Sequence, residues 1–148
     1  MERIETGDAP ELVEHIIADA LSAGVSDIYW LPREQCVQVR RRLDGVQTDV
    51  AEIGRALGEQ CLAHTKVLAQ LLTYRSQIAQ DGVIRRRDGG VTSELRVATM
   101  PTIFGERITM RASSDSAEPQ HLEELGFAAP CLDIVRRALA RPHGLIVL

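Results

Sequence analysis

The chain has 148 residues, 45% hydrophobic and 26% charged, with a formal net charge of −4. That is enough for a domain with a real core, ordinary for a soluble globular protein, and too acidic for a general nucleic-acid binder. Lys66 is the only lysine among 17 basic residues, a bias that a GC-rich genome explains without function, so only particular arginines carry weight. Cys36, Cys61 and Cys131 are too widely spaced for a CxxC site and odd in number, which fits a reducing compartment. His15, His64, His121 and His143 have no metal-ligand spacing. No apolar run approaches a membrane span, and "MERIETGDAP" is not a signal peptide.

In chain order, the first element is a helix capped by Asp8, with Glu11 three residues on, Pro10 in its first turn and Gly24 as its stop. Val13, Ile16, Ile17, Ala20 and Leu21 form its apolar face. "SDIYWLP" is a short strand ending at Pro32, and "CVQVRRRLDGVQTDV" a hairpin about Asp44-Gly45. There Val37, Val39 and Leu43 face one way, Arg40 and Arg42 the other. A long helix is predicted from about Gly54 to Thr73, using Leu57, Cys61, Leu68 and Leu72. Residues 80–100 then give two strands around Asp88-Gly89-Gly90. Asp81-Gly82 reads as turn chemistry, and Arg85, Arg86 and Arg87 as a solvated turn edge.

"ELRVATMPTIFGERITMR" is a further hairpin. Leu95, Val97, Thr99, Ile108, Met110 and Ala112 alternate toward the core. Closure about Ile103-Phe104 sets Val97 opposite Met110, Thr99 opposite Ile108, and Arg96 opposite Arg111. Like charges directly opposite are destabilising. Either a diagonal bridge to Glu94 or Glu106 relieves them, or an anion sits between them. Arg107 shares their face and is a secondary candidate. A polar linker, "SSDSAEPQ", precedes a helical turn in "HLEELGF" and an amphipathic helix over 130–140 using Leu132, Val135 and Leu139. The closing "RPHGLIVL" lacks polar alternation and reads as the start of a strand buried on both faces. The fold class is α+β: an antiparallel sheet of about six strands with helices on one face.

Five blocks, in order, carry a resemblance: "DAPELVEHIIADALSAGVSDIYWLP", "VQVRRRLDG", "KVLAQLLTYRSQIAQDG", "LRVATMPTIFGERITMR", and "LGF" with "RPHGLIVL". Together they resemble the domain that precedes the motor domain in type II secretion and type IV pilus-assembly ATPases. The distinctive hairpin block is similar to that family's RVSTxPTxxGExxxxR. The resemblance implies a PAS-like fold, with residues 1–140 as the pre-motor domain and 141–148 as linker and first strand of a motor domain. It implies a hexameric cytoplasmic ATPase, peripheral at the inner membrane, whose partners are its own P-loop motor domain, neighbouring subunits and platform proteins, with no nucleic acid. ATP and Mg²⁺ belong to the full-length protein and none is expected on this chain, which has no GxxxxGK[ST] loop and is not catalytic alone.

By the same resemblance Arg96 and Arg111, with Arg107 second, contact ATP phosphates. Arg40 and Arg42 are surface or subunit-interface residues. Tyr29-Trp30-Leu31 departs from the family's SDIH-type strand and is expected to expose aromatic surface to a partner. Ala79 and Val83 depart from its PQDGR-type turn, and Thr65 stands before Lys66 where an Arg is common. If the arginines flank a phosphate, replacing either should leave stability unchanged or raised. The alternative is a free-standing PAS-like sensory or scaffold module with no nucleotide role, which needs a ligand-sized apolar pocket under the sheet.

Overall fold

A computed structural model describes residues 2–88, 91–113 and 121–147. The chain divides into two compact units, Met1–Ser114 and Asp115–Leu148. The first is α+β, and its described residues form a seven-stranded mixed sheet. The strands are β1 (Glu2–Ile4), β2 (Asp27–Pro32), β3 (Cys36–Leu43), β4 (Val46–Gly54), β5 (Gln80–Asp88), β6 (Val91–Thr102) and β7 (Gly105–Ser113). Their order is β1-β4-β3-β2-β7-β6-β5. All neighbours are antiparallel except β1, which pairs parallel with β4. That short first strand has no sequence signal of its own, because three residues are too few to show a period.

Two helices, α1 (Ala9–Ser22) and α2 (Arg55–Leu68), cover one face. Val13, Ile16 and Ile17 of α1 and Leu57, Cys61 and Leu62 of α2 share a single core with Val37, Val39, Val97, Ile108 and Met110 of the sheet. Asp8 caps α1 through its side chain, which accepts from the Glu11 N–H, and Pro10 lies in the first turn. Both helices end in the same way. Val25 N–H donates to Ala20 and Gly24 N–H to Leu21, with Gly24 at φ +70°. Leu71 N–H donates to Lys66 and Gln70 N–H to Val67, with Gln70 at φ +58°. This pair of bonds around one left-handed residue is a Schellman motif.

The second motif corrects an expectation: α2 stops at Leu68, not near Thr73. The Gln80 side chain then holds the departing chain, accepting from Leu72 N–H and donating to the carbonyls of Leu72 and Arg75. Asp81-Gly82 is likewise no turn but part of β5. Gly82 is required there, since a Cβ would come within 2.4 Å of the Ala69 carbonyl oxygen. Trp30 is a third correction. It is fully buried in the core, because Ile28, Trp30 and Pro32 share the helix-facing side of β2. Tyr29 and Leu31, on the other side, are half-buried.

The turn at Asp44-Gly45 has both residues at positive φ, +49° and +80°, as a two-residue hairpin demands. A register shift in β4 leaves Val50 as an extra residue and sets Asp49 opposite Arg40. Between β6 and β7 the register is the one expected, from Thr102 opposite Gly105 through Arg96 opposite Arg111. The turn expected at Asp88-Gly89-Gly90 and the linker over 114–120 lie outside the described residues.

In the second unit a 3-10 turn over Leu122–Leu125 ends at Gly126 (φ +76°), and α3 spans Ala129–Leu139. Arg136 of α3 pairs with Glu123. Leu132 and Val135 are half-buried and Leu139 is exposed. Leu145, Ile146 and Val147 belong to no strand, and all three are exposed.

Candidate functional site

The strand order creates the site. Because β2 lies between β3 and β7, Asp27 is the cross-strand partner of both Arg42 and Arg111. Arg111 is in turn opposite Arg96. Arg42, Asp27, Arg111 and Arg96 therefore form one row across four strands, on the face of the sheet away from the helices.

The row is not evenly paired. The Arg111 Nε donates to Asp27 Oδ1 at 2.9 Å. Asp27 Oδ2 accepts from the Ser26 hydroxyl at 2.9 Å and lies 3.6 Å from Arg42 Nε. The Asp27 side chain is only 5% exposed, whereas that of Arg111 is 69% exposed. Asp27 raises the Arg111 pKa above its already high ordinary value, mainly by the hydrogen bond and then by charge. Arg42 also donates to the Tyr29 hydroxyl at 3.0 Å, with its guanidinium over the ring. Arg96 has no hydrogen-bond or ion-pair partner among the described residues.

Neither diagonal bridge forms. Glu94 is taken by Arg85 at 3.3 Å, and Glu106 by Lys66 at 2.7 Å. Half of the like-charge conflict is thus settled inside the chain by Asp27, a residue that its position in the sequence does not single out. Arg96 remains without an ion-pair partner among the described residues.

Beside Arg96 and Arg111 the open face has an exposed depression of about 650 Å³. Besides the two arginines it is lined by Asp81, Gly82, Val83, Val97, Ala98 and Thr109. Two guanidinium groups at one open depression can donate together to a tetrahedral anion, and the planar fork suits phosphate. Among the described residues, no group of three or more His, Cys, Asp or Glu is placed to hold a metal ion.

The other arginines have separate settings. Arg107, exposed on β7, has no carboxylate partner among the described residues. Arg40 Nε donates to Asp49 Oδ1 at 2.6 Å. Arg86 is half-buried and pairs with Glu14 of α1, so the Arg85-Arg86-Arg87 run is not wholly solvated.

On the helix face, Lys66 Nζ meets Glu106 Oε2 at 2.7 Å, with side chains only 2% and 9% exposed. Lys66 also donates to the Arg75 carbonyl at 2.8 Å. This pair fastens α2 to the start of β7. Its only trace in the sequence is that Lys66 is the sole lysine. Under α1, the cavity lined by Ile4, Leu12, Ile16, Ile28 and Val50 has about 230 Å³, below the usual size for a small-molecule pocket.

Comparison with known proteins agrees with this architecture. The chain is 36% identical over 143 residues to the type II secretion system ATPase E of Vibrio cholerae, covering 95% of this chain and 28% of that protein. It is 28% identical over 145 residues to the type IV pilus assembly ATPase PilB of Thermus thermophilus, covering 98% and 16%. The chain thus spans well under a third of the length of these relatives. The fold matches the Legionella pneumophila ATPase DotB with a TM-score of 0.60 at 16% identity, over 94% of this chain and 37% of that one. The family described as "Type II/IV secretion system protein" matches residues 3–148, and the chain belongs to it, corresponding to an N-terminal domain of these proteins.

Proposed function

We propose that this chain is the accessory domain of a hexameric secretion or pilus-assembly ATPase, and that it closes over ATP held by a following P-loop motor domain. Arg96 and Arg111 then bring positive charge to the phosphates, with Arg107 as a secondary contact. The observation that carries this reading is Arg96, without an ion-pair partner among the described residues, directly opposite Arg111 beside an open depression. Bound ATP would supply the phosphoryl group, and its Mg²⁺ would be held by residues outside this chain. This chain's own task is to orient and neutralise charge as it builds on the phosphates, and to exclude water on closure.

Arg40 and Arg42, on the same face but on β3, would be surface residues or meet a neighbouring subunit. Residues 141–148 form the linker and first strand of the motor domain. This reading accounts for Leu145–Val147 standing exposed outside any strand, with backbone groups lacking the neighbours a central strand would have. Their amides should exchange rapidly in the isolated chain, and slow exchange there would count against the assignment.

The main test uses both forms of the protein. The 148-residue chain should show no ATP turnover and bind ATP weakly at best. In the full-length protein Arg96→Ala or Arg111→Ala should lower kcat on the order of 10³-fold, with poor rescue by lysine. Micromolar ATP binding by the chain, or full activity in both full-length variants, would sink the proposal.

A further inference from the structure

The row Arg42–Asp27–Arg111–Arg96 holds three cations and one anion, and the anion sits off-centre. Asp27 touches Arg111 and lies near Arg42 but is two strands from Arg96. It is nearly fully buried, so it needs compensation at all times. It has that compensation twice over: Arg111 on Oδ1, and the Ser26 hydroxyl with Arg42 on the side of Oδ2. Arg111 is the opposite case. Its side chain is mostly exposed and its contact with Asp27 runs through Nε. A bond whose guanidinium end is in water is more easily exchanged than one sealed at both ends.

We propose that Asp27 is a counter-ion latch. It occupies Arg111 while no polyanion is present, which offsets the repulsion from Arg96, and it passes its charge to Arg42 and Ser26 when a phosphate chain takes Arg111. The ligand class is a multiply charged phosphate, since only an anion that engages both guanidinium groups outcompetes a carboxylate already in place. The latch also joins the phosphate-facing arginine to Arg42 through one carboxylate. Occupancy at one end of the row therefore changes the charge felt at the other. The inference rests on the phosphate reading of Arg96 and Arg111 proposed above.

The test uses the 148-residue chain and inorganic tripolyphosphate. Asp27→Asn removes the competing charge but keeps the shape, so tripolyphosphate should bind about 2- to 5-fold more tightly by titration calorimetry. The gain should vanish in the Asp27→Asn/Arg111→Gln double variant. Unchanged or weaker binding by a folded Asp27→Asn protein would overturn the latch, since a carboxylate that merely aims Arg111 would be missed when removed. The wild-type chain provides an arm that does not depend on the variant folding. In NMR titrations with tripolyphosphate, the Arg111 Nε and Asp27 carboxyl signals should move together. An Asp27 carboxyl that stays fixed while Arg111 shifts also overturns the proposal. Binding at both arginines without the Asp27→Asn gain removes only the latch. No response at either arginine, in wild type and variant alike, also overturns the latch, while the phosphate reading stands or falls on kcat of the full-length arginine variants.

Discussion

The β6–β7 hairpin and its neighbours carry charge on both faces of the sheet, and the two faces treat it differently. On the helix side, Lys66 and Glu106 are sealed from water and matched one to one at 2.7 Å. On the open side, Arg42 and Arg111 share Asp27, and Arg96 is left over. A buried pair is an all-or-none fastening, because removing either partner strands a charge in a low-dielectric interior. An exposed, unevenly matched row has little to lose and can change partners. The same hairpin is thus anchored through one face and left able to respond through the other.

The sharpest way to break that contrast is at Lys66. Lys66→Ala leaves Glu106 buried and unpaired, and should cost about 3–5 kcal/mol in urea unfolding. Replacing both, as in Lys66→Met/Glu106→Leu, should recover most of the loss. A Lys66→Ala chain of wild-type stability would mean that water reaches the pair and that the two faces are alike.

The buried side can be sharpened by pH. Cys61 lies in the core, and burial pushes its thiol from 9.0 up to about 11, with Asp8 adding to the shift. The folded chain thus holds the thiol neutral while the unfolded chain lets it ionise. Its contribution is complete below about pH 9 and is lost as pH rises through about 11, with a total of about 2–3 kcal/mol. Denaturation at pH 8 and pH 10.5 should show this decline in the wild type, and a shallower one in Cys61→Ala.

The smallest expected effects lie within the open row, and they separate its two central arginines. Arg96→Ala removes an unpartnered cation and should leave the melting temperature unchanged or slightly raised. Arg111→Ala takes one of the partners of buried Asp27 and should lower it, though by less than Lys66→Ala. That amends the expectation that the two arginines behave alike in stability. Equal melts for the two variants would mean that the Arg111–Asp27 contact contributes nothing in solution.

Much of the local structure was legible in the sequence because it follows from short-range rules. Asp8, Glu11 and Pro10 mark a helix start by their hydrogen-bonding and φ preferences. Asp44-Gly45 marks a hairpin because both positions need positive φ. The alternation of Leu95, Val97, Ile108 and Met110 sets the β6–β7 register, since a one-residue slip would turn every apolar side chain to water. That register alone places Arg96 against Arg111.

What the tertiary structure decided is which strands that are not consecutive become neighbours. Nothing near Asp27 in the chain announces Arg111, 84 positions away, or tells that β2 inserts between β3 and β7. Lys66 and Glu106, 40 positions apart, meet only because α2 packs over the end of the hairpin. Trp30 went into the core for a related reason: its side of β2 is the one the helices cover, and a large ring gains more from burial than any exposed role would return. Local preferences set each element and its own register. The order of the sheet is chosen by the whole chain burying its apolar face at once, and only that order brings one aspartate between two arginines.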